Sequence, residues 1–379
     1  MISTEKSYIQ PKLIALPVDS IKQSLTLNTP VNIGTPIDDT GHIYSTVSGI
    51  IKQFIVQKDE HNTIKDYVII ENDTKNTVDP RIKKMTTKHL IESYFSPSLS
   101  IEQLGSLHQT YLIVDLVFFD EPFATLDQKF IENSYDTIMT TLKSLHDIYV
   151  FKTVILLVKD DVSSRFLNSQ SFPIEVKSIK PEKGIDFRHK TINEIFKGTL
   201  RKTQTYNYLT FESILRLKEM ITYNRPSVLN RVIVHGDAIK NPTVFQVRIG
   251  TLFSDLKRIF NGYTTNKPLT ILKNARLEMK AIDHDQFSIT KTIIGLYIQE
   301  HREREIYDCI ACGRCNNKCP AGILPSKIMH AVEHDIYLGS MKTNLCIECG
   351  LCTYYCPSKI PVMNFVKKAK ALLKGDDDV

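Results

Sequence analysis

Short apolar segments recur along the first third of the chain, broken by polar turns. Val31-Asn-Ile-Gly-Thr-Pro-Ile37 and Ile43-Tyr-Ser-Thr-Val-Ser-Gly-Ile-Ile51 flank the polar Asp38-Asp39-Thr40-Gly41-His42 turn, and Tyr67-Val-Ile-Ile70 completes the set, which predicts short β-strands. Asn72 to Asp79-Pro80 is polar and predicts a linker. Beyond it the period changes. Leu112-Ile-Val-Asp-Leu-Val-Phe-Phe119 reads as a buried strand interrupted by Asp115, residues 127–149 carry helical spacing, and Thr153-Val-Ile-Leu-Leu-Val158 is another buried strand. Strand, helix, strand predicts a parallel βαβ unit. Arg231–Ala238 and Phe245–Gly250 predict two more strands around the Lys240–Thr243 turn, followed by a helix that Ser254 caps. Leu324–Leu338 and Val362–Leu373 have helical period.

Composition changes this picture little. A 379-residue chain that is 42% hydrophobic and 24% charged is long enough for two to four domains with real cores. The formal charge of +6 is spread thinly, with only short pairs such as Lys83-Lys84, which argues against a nucleic-acid partner. No apolar run approaches the ~18 residues of a membrane span, and Met1–Gln10 has no signal-peptide core. The expected setting is cytoplasmic, with attachment to the inner face of the membrane left open.

Chemistry concentrates in the cysteines. All eight fall in two runs of the form C-x2-C-x2-C-x3-C-P: Cys309, Cys312, Cys315, Cys319 before Pro320, and Cys346, Cys349, Cys352, Cys356 before Pro357. Soft thiolates suit iron–sulfide clusters, and the fourth cysteine of each such run ligates the other cluster. Two interleaved [4Fe–4S] sites are therefore expected: Cys309, Cys312, Cys315 and Cys356 on one, Cys346, Cys349, Cys352 and Cys319 on the other. Zinc is the rival, but zinc sites pair C-x2-C units and do not call for a third cysteine and a Cys-Pro in each half.

A nucleotide loop needs glycines so that backbone can approach a pyrophosphate. Between Asp79 and Leu200 the glycines are Gly105, Gly184 and Gly198, far apart, and nothing reads G-x-G-x-x-G. Thr125 or Asp127 would cap the helix that follows Glu121-Pro122-Phe123. His235 reads as structural, and His330 and His334, although four residues apart, as a solvated helix face.

The first strands look like a barrel-sandwich domain of the biotinyl/lipoyl type. Tyr44, Ser45 and Thr46 stand where a carrier lysine would sit, so no attached arm is expected. Arg231-Val-Ile-Val-His-Gly-Asp-Ala-Ile-Lys-Asn-Pro242, Val247-Arg-Ile-Gly-Thr251 with Ser254-Asp255-Leu256, and the block Cys309 to Pro361 together resemble the RnfC-like family, named for the C subunit of the Rnf electron-transport complex, with relatives PrdC and PduS. The resemblance implies an α+β multidomain chain: a barrel-sandwich hybrid over 1–75, a degenerate Rossmann-like α/β nucleotide-binding domain over 80–224, a β-grasp SLBB-like domain over 225–300, and a helical bis-[4Fe–4S] ferredoxin-type domain over 301–379.

The family's glycine-rich flavin and nicotinamide loops are replaced here by residues 101–110 and 273–280, with Glu121 as a vestige of the flavin site. FMN and NADH are therefore not expected, and no catalytic residue is assigned. The favoured reading is an electron-transfer subunit passing single electrons between donor and acceptor proteins, as a component of a membrane-bound or reductase complex. An FMN-dependent NADH dehydrogenase feeding the clusters and an adaptor with structural clusters are the alternatives.

Overall fold

The computed structural model describes residues 5–8, 10–95, 111–120, 124–125, 128–159, 172–179, 206–259, 263–273, 281–282, 284–301, 305–319, 321–336, 338–339, 341–346, 348 and 350–375. It mixes helix and sheet.

Leu13–Val18, Ile64–Asn72, Gly49–Lys58 and Pro30–Val31 form an antiparallel sheet in that order. Its inward positions, Ile14, Leu16, Val31, Ile51, Val68 and Ile70 among them, close a core with Ile37 and Val47. Two expectations change here. The N-terminal strand Glu5–Tyr8 pairs in parallel with Thr243–Arg248 in a different sheet, so the chain starts outside the unit expected over 1–75. The expected linker is tied in, because Asp79 N–H donates to the Ile33 carbonyl at 3.0 Å and Val78 bridges Ile33. Tyr44, Ser45 and Thr46, which stand where a carrier lysine would sit, are all buried, with Tyr44 Oη donating to the Ser227 carbonyl at 3.0 Å and Thr46 Oγ1 to the Ile249 carbonyl at 2.6 Å.

The second sheet is wholly parallel, in the order Ile174–Ile179, Thr153–Lys159, Tyr111–Asp115, Tyr206–Thr210. Leu112, Val114, Val154 and Leu156 on one face are covered by the helices Tyr135–Tyr149 and Phe211–Tyr223, while Ile113, Ile155 and Leu157 form a second buried cluster with Val117. The single helix expected over 127–149 is instead two, Gln128–Asn133 and Tyr135–Tyr149, parting at Ser134. Asn and Ser are poor helix-interior residues because their side chains compete for backbone groups. Asp115 is fully buried, yet its carboxylate accepts from Val117 N–H at 2.8 Å and from the Tyr208 hydroxyl.

The third sheet runs Glu5–Tyr8, Thr243–Arg248, Leu229–His235, Gly295–Glu300, Leu269–Lys273, Ala281–Ile282. The helix Phe253–Ile259 begins one residue before the expected Ser254 cap, because Phe253 N–H donates to the Phe287 carbonyl at 2.9 Å and the two rings stack at 4.8 Å. Arg248 fastens this sheet to the first: it is buried, with Nη1 donating to the Thr46 carbonyl at 2.6 Å and Nη2 to Asn76 Oδ1 at 2.8 Å. Lys273 does the same on the far side, donating to Glu60 Oε1 at 3.4 Å and Thr292 Oγ1 at 2.9 Å.

The C-terminal region is helical. Pro325–Glu333 and Val362–Gly375 pack together through Ile328, Ala331, Val332, Val366 and Ala369. Among the described residues no helix is long and apolar enough to cross a membrane.

Candidate metal centres

The two cysteine runs fold as copies of one backbone. Gly313 opens the short helix Arg314–Asn317 in a left-handed conformation at φ 69°, and Gly350 opens Leu351–Tyr354 at φ 78°. Ala311 and Glu348 are also left-handed, at φ 51° and 57°, as are Gly322 and Lys359, at 65° and 57°. The hydrogen bonds repeat: Asn317 N–H donates to the Gly313 carbonyl and Tyr354 N–H to that of Gly350, both at 3.0 Å, while Cys319 N–H reaches Asn316 and Cys356 N–H reaches Thr353, both at 3.2 Å. In each half the residue after the third cysteine caps the next helix. Asn316 Oδ1 accepts from Ser326 N–H at 3.1 Å, and Thr353 Oγ1 from Met363 N–H at 2.8 Å, which satisfies donors a helix start leaves orphaned.

These turns bring Cys309, Cys312, Cys315 and Cys356 to the wall of one cavity of about 520 Å³. Three come from the first run and one from the second. Met329, Ile336, Met341, Ile360 and Val362 supply an apolar lining, and Lys327, His330 and Glu333 stand at the wall as well. Cys309 and Cys312 are exposed, while Cys315 and Cys356 are half-buried. Burial pushes the Cys315 thiol up, and the neighbouring Cys356 and Cys309 push it further, so the free thiols resist ionising together. A metal reverses that preference by binding thiolate. The donor set and the space fit an iron–sulfide cube.

Of the second set, Cys352 is buried and Cys346 and Cys319 are half-buried, both packed against the apolar contact of the two long helices; Cys349 lies outside the described residues. Burial raises the Cys346 thiol as well, with Cys319 near enough to add to the rise. Among the described residues no three His, Cys, Asp or Glu side chains converge as they would on a single ion. A cube asks for something else, four thiolates set around a compact object.

The sequence reading missed a charged group beside Cys346. Lys370 Nζ donates to the Cys346 carbonyl at 2.9 Å and to Glu348 Oε1 at 3.0 Å, and Lys367 approaches Glu348 Oε2 at 3.6 Å. Burial opposes charge on Glu348, yet the two lysines hold its carboxyl below the usual range. Glu348 N–H also reaches Cys346 Sγ at 3.4 Å. The signal was available in the sequence: aligning the runs sets Ala311 against Glu348 and Glu333 against Lys370.

Glu121, the segment around Gly105, and Thr125 and Asp127 as caps fall outside the described residues or side chains. His235 meets the Tyr297 ring edge-on at 5.1 Å in the third sheet. His330 and His334 are exposed with ring centroids 4.3 Å apart, and His330 borders the cavity, so that helix face is not wholly given to solvent.

Residues 308–360 match the 4Fe-4S dicluster domain family. Curated relatives are named as the C subunit of an ion-translocating oxidoreductase complex. That of Methanosarcina acetivorans is 29% identical over 113 residues, covering 29% of this chain and 25% of the relative. That of Rhodobacter capsulatus is 29% identical over 128 residues, covering 33% and 24%. That of Yersinia pseudotuberculosis is 24% identical over 227 residues, covering 55% and 32%. The RnfC-like resemblance holds. The chain matches about a quarter to a third of the length of these RnfC relatives. A solved NAD+-reducing [NiFe]-hydrogenase, in its air-oxidized state, aligns over 76% of this chain and 64% of that one at 8% identity and a TM-score of 0.40, too weak a likeness to argue from.

Proposed function

We propose that this chain is an iron–sulfur electron-transfer subunit of an oxidoreductase complex, passing single electrons between partner proteins through two [4Fe–4S] clusters. The observation that carries the reading is the cavity lined by Cys309, Cys312, Cys315 and Cys356, the mixed set that interleaved ligation requires. Cys346, Cys349, Cys352 and Cys319 are proposed for the second cluster. When bound, such clusters accept and release one electron at a time.

The chain's own residues hold and shield them. Gly313 and Gly350 turn the ligand loops, Asn316 and Thr353 fix the helices behind, and Met329, Ile360 and Val362 limit water at the thiolates. The partners are proposed from the relatives' names alone: other subunits of an ion-translocating complex.

The remaining units are proposed as a barrel-sandwich domain, a Rossmann-like domain without its nucleotide loops, and an SLBB-like β-grasp sheet that also takes up the N-terminal strand. The parallel sheet supports the second of these, since its order has the strand-order reversal of doubly wound folds. The scarcity of glycine over 80–200 supports a chain without FMN or NADH. Anaerobic reconstitution with iron and sulfide should give about eight of each per chain, as two cubes require, with reversible one-electron reduction and no flavin absorbance. Stoichiometric flavin bleached by NADH would move the reading to a dehydrogenase. Two zinc ions retained in place of iron would end it.

A further inference from the structure

The two cysteine runs are near-copies in backbone but not in charge. The helix behind each run faces that run's ligand loop. In the second half this helix sends Lys370 to the Cys346 carbonyl at 2.9 Å and Lys367 towards Glu348 at 3.6 Å. In the first half the equivalent residues are Glu333 and His330, both exposed at the wall of the cavity that Cys309, Cys312, Cys315 and Cys356 line, with exposed Lys327 on the same wall as a partial offset to Glu333, and Ala311 takes the place of Glu348. One ligand loop therefore has a lysine where the other has a glutamate.

Reduction adds negative charge to a cluster and its thiolates. A fixed cation nearby favours the reduced form and a fixed anion opposes it, more strongly where burial limits screening. We propose that Lys370 raises the reduction potential of the centre held by Cys346, and that Glu333 lowers that of its counterpart, so that the pair is electrically graded and not degenerate. Glu348 lies between Lys370 and Lys367 and neutralises one of them, leaving one positive charge among the three. Water reaching exposed Cys309 and Cys312 acts in the opposite sense on the first centre, stabilising its reduced form. The measured gap is thus the balance of both effects, and only a change of charge isolates the part due to Lys370 and Glu333.

The inference rests on the two-cluster reading, and its test separates the two. The full chain, reconstituted anaerobically, is titrated with dithionite against mediators while reduced clusters are followed by electron paramagnetic resonance. Lys370→Met is expected to lower the potential of one couple and Glu333→Lys to raise the potential of the other. Each change should alter that couple's one-electron equilibrium about tenfold, or about 59 mV. Lys370→Arg, which keeps the charge, should restore the wild-type value. Iron content and signal intensity show that both clusters are present in each variant. If both are present and neither couple moves, the same couple moves in both variants, or Lys370→Arg behaves as Lys370→Met, the proposal is wrong. If the wild-type chain shows no two reducible clusters, the underlying reading fails and the proposal falls with it.

Discussion

Asp79 shows what a single side chain contributes. Its carboxylate accepts from Arg81 Nη2 at 2.6 Å, from Arg81 Nε and backbone N–H at 3.0 Å each, and from Thr35 Oγ1 at 3.1 Å. The Arg81 guanidinium holds its pKa down at about 2 against the pull of burial. That lies below the unfolded value of about 3.9. Its stabilisation is therefore full above about pH 5 and lost as pH falls through about 2. Arg81 is 59% exposed, so solvent screening keeps the amount to on the order of 1 kcal/mol. Urea unfolding of wild type and Asp79→Asn should differ by that much at pH 6 and converge near pH 2. A gap independent of pH would refute the ionic account. The sequence did not announce this bond, because Asp79-Pro80-Arg81 reads as turn chemistry and Thr35 is distant in the chain. The cysteines were legible at once because their spacing is itself the chemistry. Aligning the runs exposes the contrast of Glu333 with Lys370, but only the fold shows that Lys370 meets Cys346, once the last helix folds back.

At the scale of elements the apolar periods identified most buried strands, and the structure explains one motif residue. Gly236, in Arg231–Ala238, lies at φ 128°, and a Cβ there would stand 2.0 Å from the Ile298 carbonyl oxygen. Ala238 N–H donates to that same carbonyl at 3.1 Å, so the turn is clamped on the neighbouring strand. Gly236→Ala therefore meets both a steric clash with backbone and a disfavoured φ. It should cost about 2–4 kcal/mol in thermal or urea unfolding; a loss under about 0.5 kcal/mol would show that the turn relaxes freely. Element ends were less legible. Ser254 has the composition of a cap, but tertiary packing of Phe253 on Phe287 starts the helix earlier. The break at Ser134 likewise lay hidden within a continuous helical period.

At the scale of the molecule, the sheets are joined by buried polar contacts between residues far apart in sequence, such as Arg248 with Thr46 and Asn76 and Lys273 with Glu60. No local pattern encodes these, which is why nothing in the sequence marked Tyr44–Thr46 as buried and why 72–80 read as a linker. The pairing of Glu5–Tyr8 with Thr243–Arg248 was hidden for the same reason. The repeated x3-C-P step carries its own geometric expectation, a crossing of the cysteine runs, and the cavity that Cys309, Cys312, Cys315 and Cys356 line supports it. The central claim is that the runs exchange their last ligands, and single-cysteine variants of the reconstituted chain test it directly. Cys356→Ala should lose the same cluster as Cys309→Ala, leaving about half the iron and the same residual paramagnetic resonance signal. If Cys356→Ala instead matches Cys346→Ala, each run binds its own cluster and the interleaved account is contradicted.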